Sequence, residues 1–215
     1  MSLPFTHDQF LELFGSYNRA LWPAVVLLWL LTAGVMVMLY LRGPAASRIV
    51  SALLAIHWLW AGTVYHLVFF QRINPAATIF GVAFVVEGIL FFWRGVARPR
   101  LSFTPRRSLL GWLSLALIVY AMIYPALGLL FGLAVPDFPS FGVPCPTAIL
   151  TAGALLLLDR HELRLLGVIP IVWSLIAGSA AWRLGIRADL ALPVAGLVLL
   201  ISMVTPDRAK HAAAA

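Results

Sequence analysis

Charge is scarce in this chain. Only 11% of its 215 residues are Asp, Glu, Lys or Arg, against about a quarter in ordinary soluble domains, and the one lysine is Lys210, near the C-terminus. Such a composition excludes water as the main solvent. The net charge of +7 does not point to a nucleic-acid partner, because the arginines fall in short stretches between apolar runs and not in one basic patch. Cysteine is scarcer still: a lone Cys145 excludes an intramolecular disulfide and any cysteine-rich metal site. Sequence motifs of common enzymes are missing as well, with no glycine-rich phosphate loop, His-Glu-x-x-His, Cys-x-x-Cys or Gly-x-Ser-x-Gly. No catalytic residues and no required cofactor follow from the sequence, and a non-enzyme is expected. A retinal Schiff base lacks its lysine in the last apolar run. Met1 to Leu13 has neither a basic start nor an unbroken apolar core, so no cleavable signal peptide is expected.

What the chain has in abundance is apolar length, with 62% hydrophobic residues. The runs Leu21–Leu41, Ile49–Phe70, Asn74–Trp93, Ser108–Leu133, Cys145–Leu158, Leu163–Trp182 and Ala188–Val204 predict about seven transmembrane helices in one bundle, an all-α membrane protein. No alternating pattern suggests a barrel. Before the first run, Thr6-His7-Asp8-Gln9 forms a capping box, and Phe10, Leu13, Phe14 and Tyr17 recur at helical spacing. A short interfacial helix is therefore expected within residues 1–20, a transmembrane domain over 21–205 and a disordered tail over 206–215. Arg94, Arg98, Arg100, Arg106 and Arg107 lie between the third and fourth runs with no acidic residue among them, which assigns that loop to the cytoplasm. Alternation then puts the N-terminus in the periplasm and the C-terminus inside a bacterial inner membrane. The Arg183/Arg187 pair dissents, offset in part by Asp189.

The fifth run is anomalous. Its 14 or so residues span roughly 21 Å of a hydrocarbon core near 30 Å thick, and the preceding Val135–Val143 stretch, with its prolines and glycine, cannot be helical. An irregular or re-entrant segment, buried or lining a recessed outer vestibule, is expected there. Cys145 opens the short helix, and counting helical rise brings His66 and Tyr124 to about the same depth. Cys145, His66 and Tyr124 are thus the candidate vestibule residues, with Cys145 and His66 as potential ligands of a soft metal; ordinary packing and interfacial roles would account for them equally. Deeper in, Glu87 is the acidic residue of the central apolar stretches, and His57 falls at a similar depth, so a His57–Glu87 inner polar layer is expected. His57 and His66, nine residues apart, point to opposite faces of one α-helix and cannot share a metal. Asn74-Pro75-Ala76-Ala77-Thr78-Ile79 and Cys145-Pro146-Thr147-Ala148-Ile149-Leu150 open alike, as two helices started by proline do.

Three blocks carry a resemblance: Leu3-Pro4-Phe5-Thr6 with Phe10, Phe14, Tyr17-Asn18 and Trp22-Pro23; His57-Trp58 with Tyr65-His66, Phe69-Phe70 and Ile73-Asn74-Pro75-Ala76; and Phe141-Gly142-Val143-Pro144-Cys145-Pro146-Thr147. Together they resemble a family of bacterial integral membrane proteins catalogued as a domain of unknown function, over essentially the whole chain. The resemblance implies an inner-membrane location and one compact domain, and carries over no catalytic or binding residues. Three functions stay open: a small transporter or binding protein for a small solute or soft metal ion; a membrane redox or thiol enzyme or haem-binding subunit; and a structural or sensory subunit without a small-molecule site. The expected partners are the lipid bilayer, such a solute, and a second copy in a homo-oligomer.

Overall fold

A computed structural model describes residues 3–41 and 45–205; the expected C-terminal tail lies outside them. The described residues form eight α-helices and no strand: α1 (His7–Tyr40), α2 (Ala46–Trp60), α3 (Ala77–Phe91), α4 (Leu109–Leu130), α5 (Pro144–Leu155), α6 (Arg160–Leu166), α7 (Val168–Leu184) and α8 (Ala191–Val204). Two helices loosen at their ends. α2 continues as a π-helix over Ala61–Phe69 and a 3₁₀ turn over Phe70–Arg72, and α3 as a π-helix over Phe92–Ala97.

Five helical stretches are long and apolar enough to cross a membrane: His7–Tyr40, Ala46–Arg72, Ala77–Ala97, Leu109–Leu130 and Arg187–Val204. A sixth arises if α6 and α7, bent by 49° across Gly167, count as one broken span. The fifth predicted run is the exception. It becomes a helix of only 12 residues, and every residue from Pro144 to Leu155 is buried. It forms the axis of the bundle, contacting α2, α4, α7 and α8, and this total burial explains why its small and β-branched residues show no polar face.

The separate interfacial helix is not formed. The predicted capping box is present, with Thr6 accepting from the Gln9 backbone at 3.2 Å and Gln9 accepting from the Thr6 N–H at 2.9 Å, but the helix it starts runs unbroken for 34 residues through Pro23. No helix-breaking residue separates residues 7–20 from the first apolar run, and the one proline costs a single intrahelical bond without stopping the helix.

Between α2 and α3 the backbones approach closely. A Cβ added at Gly62 would stand 2.9 Å from the Gly81 carbonyl, one at Gly88 would meet Leu59, and one at Gly95 would overlap Ser51. Gly81, Gly88 and Gly95 recur every seven residues, a small-residue seam of the kind that joins helices in lipid, where van der Waals contact replaces the hydrophobic effect.

Candidate functional site

The ends of the helices fall into two groups. At one end lie the start of α1, the α2–α3 turn, the segment before α5 and the α7–α8 turn. Gly132–Val143 is irregular, and its residues from Phe138 onward are largely buried, as non-helical backbone inside an apolar bundle must be. Its carbonyls find neutral donors on α1: Asn18 Nδ2 donates to Pro136 O at 2.7 Å and Phe138 O at 2.8 Å, and the Tyr17 hydroxyl to Phe141 O at 3.0 Å. Trp60 Nε1 donates in turn to the Tyr17 oxygen at 2.8 Å, and Ser140 Oγ donates to Asn18 Oδ1.

Beside this segment lies a cavity of about 330 Å³. Phe5, Phe10 and Phe14 from the first turns of α1 and the segment before it cover it, while Tyr65, Phe70 and Phe80 form one wall. Trp173, Ile176 and Ala180 of α7 form the other, and Cys145 and Asp189 supply its thiol and carboxyl. The cover is fixed by a hydrogen bond between His7 Nδ1 and the Leu184 carbonyl at 2.7 Å. Phe5 packs edge-on to Phe70 with ring centroids 5.4 Å apart, and Phe10 to Phe14 at 4.7 Å.

Cys145 and Tyr124, expected at one depth, do meet, and they meet beside Asp189. The Tyr124 hydroxyl donates to Asp189 Oδ1, and the Cys145 thiol lines the same cavity as that carboxyl. Asp189 is 2% exposed. Reading charge along the sequence misses it as a site residue, because there it looks like a loop acid offsetting Arg183 and Arg187. The available signal is its position immediately before the last apolar run, where an acid faces the bundle as readily as solvent.

His66 is not part of that cluster. Its ring sits among Phe84, Trp173, Tyr65, Phe70 and Phe80, with centroids 4.8 to 5.9 Å away. The expected His57–Glu87 bond is not made either. His57 joins α1 to α5, with Nε2 2.8 Å from Thr32 Oγ1 and Nδ1 3.5 Å from Thr147 Oγ1. Among the described residues, both ring nitrogens of His66, both Glu87 oxygens, Trp173 Nε1 and Ser174 Oγ are buried without a hydrogen-bond partner. Each such group costs roughly 1–3 kcal/mol. His57 faces α1 and α5 and His66 faces α3 and α7, so the two histidines look toward different neighbours, with a π-helical stretch over Ala61–Phe69 between His57 and the end of that span. Among the described residues no three His, Cys, Asp or Glu side chains come together in a way that could hold a metal ion.

The opposite end carries charged side chains. Arg94 donates through Nε to Glu162 Oε2 at 3.0 Å and through Nη2 to Oε1, both residues being buried. Arg106 Nη2 lies 3.3 Å from each of the Leu157 and Leu158 carbonyls that follow α5, and Thr104 N donates to Leu157 O at 3.1 Å.

These features define an apolar helical bundle with a ligand-sized, aromatic-walled cavity at one end and, at the other, a polar groove of about 780 Å³ lined by Arg106, Leu157, Leu158 and Asp159. The chain belongs to the family of unknown function DUF6064, whose model matches residues 7–214. No curated protein and no solved structure matches it.

Proposed function

We propose that this chain is a bacterial inner-membrane protein of seven passes that takes up a small, largely apolar organic solute from the periplasmic side into the aromatic cavity, either to bind it or to pass it on. The observation that carries the reading is the cavity itself. Its size lies in the range of small-molecule sites, its wall is apolar, and its few polar groups converge. The seventh pass is α5, shorter than a bilayer but shielded from lipid by its neighbours and extended at both ends by buried irregular backbone. The gathering of Arg94, Arg106 and the other basic loop residues opposite the cavity supports a cytoplasmic assignment for that end. An organic solute is favoured over a soft metal because Cys145 and His66 are not joined by a third ligand among the described residues.

Cys145 tests this reading, since it lines the cavity and is the sole thiol of the chain. In spheroplasts, a membrane-impermeant charged maleimide added outside is expected to label Cys145, and saturating small aromatic solutes to slow the labelling. A reporter fused after Arg100 should behave as cytoplasmic. A thiol that reacts only with permeant reagents, or only after denaturation, would overturn the outward-open cavity.

A further inference from the structure

Resting on the cavity reading above, the charge distribution around the cavity narrows its ligand. Seven aromatic residues line it, among them Phe5, Phe10, Phe14 and Trp173, and among the described residues no Lys or Arg does. The one carboxylate that the described residues bring to the wall is Asp189. Its donor is neutral, the Tyr124 hydroxyl, which orients it without compensating its charge. The contrast within the same fold is Glu162, a buried carboxylate that Arg94 meets with two hydrogen bonds. Arg187, two residues from Asp189, lines a different groove together with Glu12 and Asp137.

We propose that the cavity recognises a hydrophobic organic cation, such as an aromatic or quaternary ammonium compound. Ring faces carry negative quadrupole potential and attract a cation whose hydration is weak. A buried carboxylate with a neutral donor retains accepting positions, since an ionised carboxylate offers about four lone-pair sites. An anion meets repulsion from both features. A neutral solute of the same shape gains burial alone. Trp173, 8% exposed, adds a ring to the same wall.

Three probes of nearly equal shape separate these cases: phenyltrimethylammonium, the neutral isostere tert-butylbenzene, and the anion benzenesulfonate. Binding to the purified full chain in detergent is measured by calorimetry against a protein-free micelle blank, with protection of Cys145 from maleimide as the second readout. Phenyltrimethylammonium is expected to bind about tenfold or more tightly than tert-butylbenzene, and benzenesulfonate not to protect the thiol. Asp189→Asn should lower the cation-to-neutral ratio several-fold, leaving the smaller preference that the rings supply. Should that variant fail to fold, the three probes on the unaltered chain decide alone. Equal or tighter binding of tert-butylbenzene, or protection by benzenesulfonate, overturns the cationic class and leaves the cavity reading intact. If none of the three binds or slows labelling, the cavity reading falls with it.

Discussion

The two ends of this bundle solve the same problem with different chemistry. Each must satisfy backbone carbonyls where α5 gives way to irregular chain inside an apolar interior. At the cavity end the acceptors Pro136 O, Phe138 O and Phe141 O are met by the neutral side chains of Asn18 and Tyr17. At the other end Leu157 O and Leu158 O are met by the Arg106 guanidinium, beside the paired Arg94 and Glu162. Neutral donors leave an apolar space next to them usable, because they bring no net charge into it. Arginines bring charge to their end, where Arg106 lines a polar groove with Leu157, Leu158 and Asp159 and the Arg94–Glu162 pair would be costly to separate in low dielectric. The asymmetry between the ends is therefore built from which donors serve them and not from a difference in helix geometry.

Breaking the charged end should have the largest effect. Arg94→Ala takes the guanidinium from both Glu162 oxygens, leaving His161 Nδ1 at 3.5 Å, and should lower stability more than Asn18→Leu at the neutral end, whereas Arg94→Met combined with Glu162→Leu should recover most of the loss. Thermal unfolding in detergent, followed by fluorescence, reads both, and a double variant no more stable than the single one would show that the pair holds more than its own charge. At the neutral end, Asn18→Leu removes three hydrogen bonds and takes the α1 partner from Phe138 O and the Ser140 hydroxyl, while Pro136 O keeps the Phe138 N–H; the expected cost is roughly 2–3 kcal/mol. The same substitution should loosen the segment before α5 and quicken Cys145 labelling by an impermeant maleimide; unchanged labelling would mean that the segment is held by packing alone. The smallest change is expected between the two ends. Glu87→Gln removes no partner, since neither Glu87 oxygen has one, and should shift stability by less than about 1 kcal/mol, while Glu87→Lys places an ammonium in the apolar interior and should prevent accumulation of the folded chain. Comparable yields of the two variants would show that Glu87 is open to water.

Much of this architecture is legible in the residues themselves. Apolar run lengths, the Thr6/Gln9 capping box and the prolines of residues 135–146 predict helices, a helix start and an irregular buried segment, because each follows from local chemistry. Helical rise brings Cys145 and Tyr124 to one depth, and there they meet. What lies beside both is not legible, since Asp189 comes to them only through the tertiary packing of the α7–α8 turn, and rise along separate helices carries no information about rotation. His66 shows the same limit: depth alone places it with Cys145, whereas its ring packs against Phe84 and Trp173. The heptad of Gly81, Gly88 and Gly95 is readable as spacing, yet its meaning needs the partner helix, because glycine marks close approach only when something approaches.

The unbroken α1 links cavity and membrane mechanically. Its 34 residues extend about 51 Å, well beyond a hydrocarbon core near 30 Å. A rod long and apolar enough to cross a bilayer is thus also the arm whose first turns cover the cavity. A change of roughly 10° in bend at Pro23 would carry His7, some 24 Å away along the helix axis, through about 4 Å, enough to separate it from the Leu184 carbonyl. Bilayer thickness sets the tilt of a helix longer than the core it spans. On the proposed membrane placement, the width of the cavity mouth would respond to acyl-chain length through this lever.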